Sequence, residues 1–265
     1  MKKNIIIVLL IVASIISCNK EEPIDYPKED LINSYYINYM NYSDNFIVSL
    51  SFRPIVNLEY NSQHQITKRK GGFLEINPAT GYNKMFSDEI FDELSYSSNK
   101  ILIEKKTSST EYQIPIFKRV ISLNNDGKII QEIAETENNK KTVDYQYNTA
   151  GRLFSSKFKN EYSTNETFYY YNAQKNIDSI VAKSYSNQLY TGKTVEIFKD
   201  YDDKTNPVKH LFFFEEIFNR SLSLNNYATY VKLLFDKDNT LQSAYETKWT
   251  FTYDENGSIR FDKIQ

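Results

Sequence analysis

The chain has 265 residues, of which 25% are charged, and a formal net charge of −2 at neutral pH. Its basic residues are interspersed with acidic ones, which excludes the basic stripe expected of a nucleic-acid-binding protein. It contains a single cysteine, so no disulfide can form within the chain. Aromatic residues make up 15% of the sequence, mostly as Tyr and Phe, and this composition favours strands.

The first segment, residues 1–17, has the pattern of a signal peptide. Two lysines precede an apolar run over residues 5–16 that is too short to span a membrane. The run ends at Cys18, and residues 15–18 resemble the bacterial lipobox, whose cysteine is acylated after cleavage. We therefore predict lipidation of Cys18, with an ordinary secretory signal or a short N-terminal anchor as the alternatives.

The next segment, residues 18–34, is predicted to be a lipidated N-terminus and tether. Residues 19–22 read Asn-Lys-Glu-Glu and resemble the acidic signal that sends lipoproteins of Bacteroidota-type bacteria to the outer face of the outer membrane. We predict a lipid-anchored outer-membrane protein displayed on the cell surface, with the periplasmic face as the alternative. The membrane is a predicted partner, because acyl chains such as palmitate on Cys18 would bury their methylene groups in it.

From residue 60 onward one short pattern recurs: an aromatic residue or Leu, Asn or Asp, a turn residue three positions later, and then an aliphatic residue. The Asn or Asp oxygen can accept backbone N–H groups of the turn, and a Gly turn residue suits left-handed backbone. His64 and Lys175 are less suited to that backbone. The copies lie at residues 60–66, 123–129, 147–153, 171–177, 201–208 (one residue longer, ending at Val208), 235–241 and 253–259.

Apolar and polar residues alternate on both sides of these turns, which predicts half-buried strands. We therefore predict an all-β fold, an antiparallel meander of repeated β-hairpins that forms a large curled sheet or a partly closed barrel. Residues 35–265 are expected to form this single domain. Short helices are predicted over residues 84–94 and 211–218, where apolar residues fall at helical spacing.

Two of the copies, residues 147–153 and 253–259, resemble YD (Rhs-type) repeats, which form β-hairpins. The Tyr-Asp-Asp-Lys-Thr-Asn-Pro stretch at residues 201–207, followed by Asn-Asn at 225–226, resembles a family of uncharacterised Bacteroidota lipoproteins of porin-like β fold. The resemblance covers residues 45–265. It implies the fold but no assigned activity, so no functional residue is carried over from that family.

Motifs of several enzyme classes are missing from the sequence. It has no Gly-x-Ser-x-Gly elbow and no P-loop, and its two histidines, His64 and His210, lack a metal-ligand spacing. We interpret both histidines as surface or loop residues, and the neighbouring carboxylates at 202–203 and 215–216 as solvated charge. The prediction is a protein that is not an enzyme, with no catalytic residue, no cofactor and no metal.

Two functions fit these observations best. The first is a non-enzymatic binding or envelope-scaffold role with an unknown ligand or an envelope protein as partner. The alternative is a glycan-binding lipoprotein of a polysaccharide-uptake system, with Tyr169, Tyr170 and Tyr171 as ligand contacts. Successive strand residues face opposite sides, so at least one of these rings lies off the main core. A site is expected where the repeat breaks, at residues 71–94 or 201–226.

Two further alternatives are an enzyme built from distant strands and a transmembrane barrel. A transmembrane barrel needs an outward apolar band along most strands. The mean hydropathy of −0.57 favours a water-soluble sheet instead.

We predict that Cys18→Ala moves the protein from the membrane fraction to the soluble fraction, because the variant lacks the thiol that would carry the acyl chains. Cell fractionation followed by immunoblotting measures this. Replacing Ser17 by Ala, which leaves the thiol in place, is the matched control. Unchanged membrane association of the Cys18→Ala protein would contradict the predicted lipid anchor.

Overall fold

The structure, a computed structural model, describes residues 31–37, 40, 54–75, 84–110, 114–137 and 139–263. The predicted signal peptide and Cys18 lie outside these residues. Within them the chain forms fourteen strands and one α-helix, α1 (Glu215–Ser221). The strands are β1 (Ser34–Tyr36), β2 (Ile55–Tyr60), β3 (Ile66–Glu75), β4 (Lys84–Ser97), β5 (Lys100–Thr107), β6 (Phe117–Leu123), β7 (Ile129–Thr136), β8 (Asn139–Tyr147), β9 (Leu153–Lys159), β10 (Ser163–Tyr171), β11 (Ile177–Ser186), β12 (Leu189–Tyr201), β13 (Tyr227–Asp236) and β14 (Leu241–Lys248).

Each strand pairs antiparallel with the next one along the chain, and all of them form one sheet in the order β1 to β14. This confirms the predicted all-β meander. Among the described residues the sheet does not close, because β1 and β14 do not pair. The C-terminal residues bridge part of this gap: the Trp249 N–H donates to the Ala228 carbonyl at 2.8 Å, and the Tyr36 N–H donates to the Phe261 carbonyl at 2.7 Å.

Six of the seven predicted repeat turns share one hydrogen-bond pattern. In the 123–129 turn, the Asn124 N–H donates to the Lys128 carbonyl at 2.9 Å, and Asn124 Oδ1 accepts the Lys128 N–H at 2.9 Å. The turn residue is left-handed even where it is not Gly or Asn, with φ of 59° at His64 and 68° at Lys175. The side-chain oxygen thus fixes the turn strongly enough to hold unfavourable residues in that conformation.

The seventh copy is interrupted within its turn. The Asp202 N–H donates to the Asn226 carbonyl at 3.0 Å, and Asp202 Oδ1 accepts the Asn226 N–H at 2.9 Å. These are the bonds that join positions four apart in the other turns, but here the positions are 24 apart. Tyr227 opens β13 and pairs with Tyr201. The prediction that Val208 completes this copy is therefore wrong.

The residues inserted into this turn, 202–226, are named here the plug segment, and they lie inside the curve of the sheet. The plug segment includes α1, which contacts strands from β1 to β13, so the sheet curves around it. Val208, Leu211 and Ile217 are fully buried there. The sheet residues that contact α1 are Tyr35, Arg69, Tyr145, Tyr169, Glu196 and Tyr227.

The buried amide of Asn206 fixes the path of the plug segment. Its Nδ2 donates to the carbonyls of Arg220 at 2.7 Å and Ser223 at 3.0 Å, while its Oδ1 accepts the Val208 N–H at 3.1 Å. The last carbonyls of a helix have no partner within the helix, so this side chain binds one carbonyl in the last turn of α1 and one just after the helix.

The apolar core lies on the inner face of the sheet. In β5, Ile101 and Ile103 are buried, whereas Leu102 between them faces outward and is half-buried. Burying one such isoleucine stabilises the fold by about 1.5–3 kcal/mol. The buried side chains form two clusters, one over the first half of the sheet and one over the second, and Phe218 of α1 packs against both.

The two helix predictions have different outcomes. The prediction for residues 84–94 is wrong, because these residues belong to β4. Strand β4 has apolar residues on its inner face, and Phe91 is apolar although it faces outward, where Lys68 Nζ lies 3.9 Å from the centre of its ring. Apolar residues on both faces of the strand produce the helical spacing seen in the sequence. The prediction for residues 211–218 is confirmed in part by a 3₁₀ turn at Lys209–Leu211 and by α1. In the described ranges, no helix is long and apolar enough to cross a membrane.

Asp202→Ala is predicted to lower the free energy of unfolding by about 1–3 kcal/mol, because it leaves the fully buried Asn226 without its carboxylate acceptor. The matched control is Asp236→Ala, which removes the same turn acceptor where its hydrogen bond to Thr240 is exposed and should cost about 1 kcal/mol or less. Urea unfolding midpoints measure both. Equal losses would contradict the role of Asp202 in closing the plug segment.

Candidate functional site

A cleft opens at the end of the sheet where six of the seven repeat turns lie, and it is named here the end cleft. Its volume is about 890 Å³, near the upper end of the range of about 300–1,000 Å³ for small-molecule sites. Three parts of the chain line it: residues 31–34 beside β1, residues 203–207 of the plug segment, and residues 254–262 near the C-terminus. The end cleft thus includes one of the two places where the repeat breaks.

The C-terminal wall of the cleft is the last repeat turn. Asp254 Oδ1 accepts the N–H groups of Asn256 at 2.9 Å and Ser258 at 2.8 Å. Gly257 supplies the left-handed position with φ of 77°. This turn leaves the side chains of Asn256 and Ser258 exposed at the cleft.

The cations that line the end cleft are paired with carboxylates. Arg260 donates from Nε and Nη2 to both carboxylate oxygens of Asp262 at 2.7 and 2.6 Å, and Lys204 Nζ lies 3.2 Å from Asp203 Oδ1. The hydrogen bonds from Arg260 hold the pKa of Asp262 below its usual value. With Asp254, the lining holds three carboxylates and two cations, so its formal charge is −1.

Asp202 connects the neck of the plug segment to the C-terminal wall. Its Oδ2 accepts the Tyr253 hydroxyl at 2.8 Å and the Asn226 Nδ2 at 3.0 Å. Burial, together with the neighbouring Asp202 carboxylate, raises the pKa of Tyr253, so the phenol remains a neutral hydrogen-bond donor. The position of the C-terminal wall therefore depends on the same carboxylate that closes the plug segment.

Arg220 of α1 is fully buried and enclosed by aromatic rings. Its Nη1 donates to the Tyr227 carbonyl at 3.0 Å, but its Nε and Nη2 have no hydrogen-bond partner among the described residues. Burial lowers its pKa. Rings lie over a cation because their faces are electron-rich. The distances from Cζ to the ring centres are 3.9 Å for Tyr227, 5.0 Å for Trp249, 5.5 Å for Phe251 and 5.4 Å for Phe261.

A second buried charged group joins α1 to the opposite part of the sheet. Arg69 of β3 donates to Glu216 of α1 and to Asp92 of β4, the latter at 3.2 Å. The Tyr35 hydroxyl donates to Glu216 at 2.8 Å and accepts the Arg69 Nε–H at 2.9 Å. Although burial opposes its ionisation, the Arg69 charge and the Tyr35 hydroxyl hold the pKa of Glu216 below its usual value.

On β6 and β7, Arg119 forms a two-point ion pair with Glu132, with N–O distances of 2.9 and 2.8 Å. Burial opposes the charged form of Arg119, but the carboxylate of Glu132 keeps its pKa above the usual value. The inner face of the sheet therefore holds paired charges as well as apolar side chains.

The three tyrosines predicted as ligand contacts do not share one face. Tyr169 is buried, with its hydroxyl 2.9 Å from Ser156 Oγ and its ring 6.3 Å from that of Phe218. Tyr170 is 49% exposed on the other side of β10, and Tyr171 is half-buried. They form no common stacking platform, and their role as ligand contacts stays a prediction.

Two interpretations of the sequence are wrong at the plug segment. His210 is buried rather than at the surface, and Glu216 is a mostly buried ion-pair partner rather than solvated charge. The reason is that residues 202–226 fold inward. The sequence also gave no signal for Arg69 or Arg220. Among the described residues, no group of three His, Cys, Asp or Glu side chains could hold a metal ion.

The fold is similar to that of a porin-like protein from Bacteroides vulgatus, known from a crystal structure. The TM-score is 0.51 at 12% sequence identity, and the match covers 78% of this chain and 86% of that one. At this identity the likeness concerns the fold alone. No protein-family model matches the chain, and no curated protein sequence matches it.

Arg69→Met is predicted to lower the free energy of unfolding by about 3–5 kcal/mol, because it leaves the buried carboxylates of Asp92 and Glu216 without their cation. The matched control is Lys157→Met, which breaks the exposed ion pair with Glu166 and should cost about 0–1 kcal/mol. Urea unfolding at neutral pH compares the two. A loss at Arg69 no larger than that at Lys157 would contradict the stabilising role of this group.

Proposed function

We propose that this chain is a lipid-anchored outer-membrane protein, displayed on the cell surface, that acts by binding rather than by catalysis. The observation that carries the proposal is the plug segment. Its side chains pack against the inner side of the curved sheet, and the end cleft opens beside it toward solvent. This arrangement suits a binding or envelope-scaffold role.

The location is argued from the sequence and supported by the fold. Residues 1–18 carry the signal-peptide and lipobox pattern, and the similar fold in Bacteroides vulgatus is that of a porin-like protein. Leu31, the first described residue, lines the end cleft. A lipid on Cys18 would therefore hold this cleft within about 45 Å of the membrane surface, the reach of thirteen extended residues.

The proposal that the protein does not catalyse a reaction rests on the pairing of its buried charged side chains with one another. Arg69, Arg119 and Glu216 are each paired within the inner face, and their partners satisfy them in the folded state. Such pairs join the plug segment and neighbouring strands, and a structural role accounts for the shifted pKa values of Arg119 and Glu216. The end cleft offers hydrogen-bonding groups for binding.

Protease treatment of intact cells is expected to digest the protein, because surface display exposes its turns. Immunoblotting measures the remaining full-length chain, and a soluble periplasmic protein that survives is the control for membrane integrity. Cells that produce the Cys18→Ala variant provide the matched comparison, since that chain should leave the membrane fraction. Protection in intact cells, with digestion only after the outer membrane is permeabilised, would contradict surface display.

A further inference from the structure

We infer that the end cleft is a binding site for a neutral, hydroxyl-rich ligand, an oligosaccharide chain. The inference rests on the proposed binding function and deepens it by naming the site and the class of ligand. Its first support is geometric. The cleft has a volume of about 890 Å³ and joins three segments that are far apart in sequence, the N-terminal part, the plug segment and the last hairpin.

The charges of the cleft argue against an ionic ligand. Lys204 and Arg260 already contact Asp203 and Asp262, so an incoming phosphate or carboxylate would have to compete with carboxylates that are in place. A cation would be repelled by these same two positive groups, which already contact two of the three carboxylates of the lining. A neutral ligand avoids both the competition with carboxylates and the repulsion by cations. It can bind to the lone pairs and N–H groups that the ion pairs of the cleft leave available.

The hydrogen-bonding groups argue for hydroxyls. Side chains that are exposed and line the cleft come from all three segments: Asn33, Asp203, Thr205, Asn256 and Ser258. Amides, carboxylates and hydroxyls both donate and accept, or accept from two donors, as the paired hydroxyls of a sugar require.

The apolar part of the lining fits the other side of a sugar. Leu31 and Ile32 are half-buried in the wall formed by the N-terminal segment. Their side chains can pack against the C–H groups of a sugar ring, while the polar walls bind its hydroxyls. A peptide would need deeper apolar pockets for its side chains.

The test uses the full-length lipidated protein in detergent micelles and isothermal titration calorimetry. The neutral probes are maltohexaose, laminarihexaose, mannohexaose and chitohexaose, and the competing probes are hexagalacturonic acid, inorganic phosphate and hexaglycine. We expect saturable binding of at least one neutral probe. Its affinity should change less than about twofold between low and high salt, because screening acts on charged ligands.

The double variant Asp203→Ala with Asn256→Ala removes two exposed side chains from the cleft and should weaken this binding by about tenfold or more. The matched control is Asn125→Ala with Asp126→Ala, which makes the same change at the equivalent positions of the 123–129 turn and should bind as the natural protein does. Unchanged thermal unfolding of both variants verifies that they are folded.

Three results would overturn the inference. The first is equal binding of a neutral probe by the cleft variant and the natural protein. The others are binding of only the acidic, phosphate or peptide probes, and binding of no probe at all. These results leave the proposed outer-membrane location untouched, because fractionation and protease treatment decide that separately. Conversely, a Cys18→Ala protein that stays membrane-bound refutes the proposed lipid anchor, and a protein that resists protease on intact cells refutes surface display, whatever the calorimetry shows.

Discussion

The bond between an Asn or Asp side-chain oxygen and the backbone N–H four positions later is the constraint on which this structure depends. It recurs in six hairpin turns and fixes where each strand ends and the next begins. In the seventh turn, Asp202 makes the same bond to Asn226 across 24 positions. The sheet keeps its register there, while the chain between these two residues is free to form a separate element.

That element, the plug segment, packs against the inner face of the sheet and contacts both apolar and charged side chains there. Apolar strand residues pack on Leu211 and Ile217, and three inward cations find partners or rings: Arg69 with Glu216, Arg119 with Glu132, and Arg220 among aromatic side chains. A buried ion pair adds little net stability, but removing one partner is costly. These contacts therefore determine the position of α1 against the sheet, while they add little to the total free energy of unfolding.

The turns were predictable because their chemistry is local: residues 123–129 contain every group that their hairpin needs. The helix predicted over residues 84–94 failed because outward Phe91 is apolar, and a sequence does not tell which apolar residues face the core. His210 and Glu216 were misjudged for a different reason. Both lie in the plug segment, which folds inward. The partner of Glu216, Arg69, is 147 positions away and stands between two lysines in a segment that resembles surface charge. The end cleft likewise joins segments that are distant in sequence.

The insertion within one turn also has a consequence for conformational entropy. Bringing the ends of a loop together costs more as the loop lengthens, but only as the logarithm of its length, and lengthening the closure from four to 24 positions adds about 1.6 kcal/mol. The burial of a single isoleucine side chain offsets an amount of this size. The loop-closure part of the entropy therefore does not prevent a long insertion within a hairpin turn, provided that the two residues at the neck still meet as neighbours in a turn.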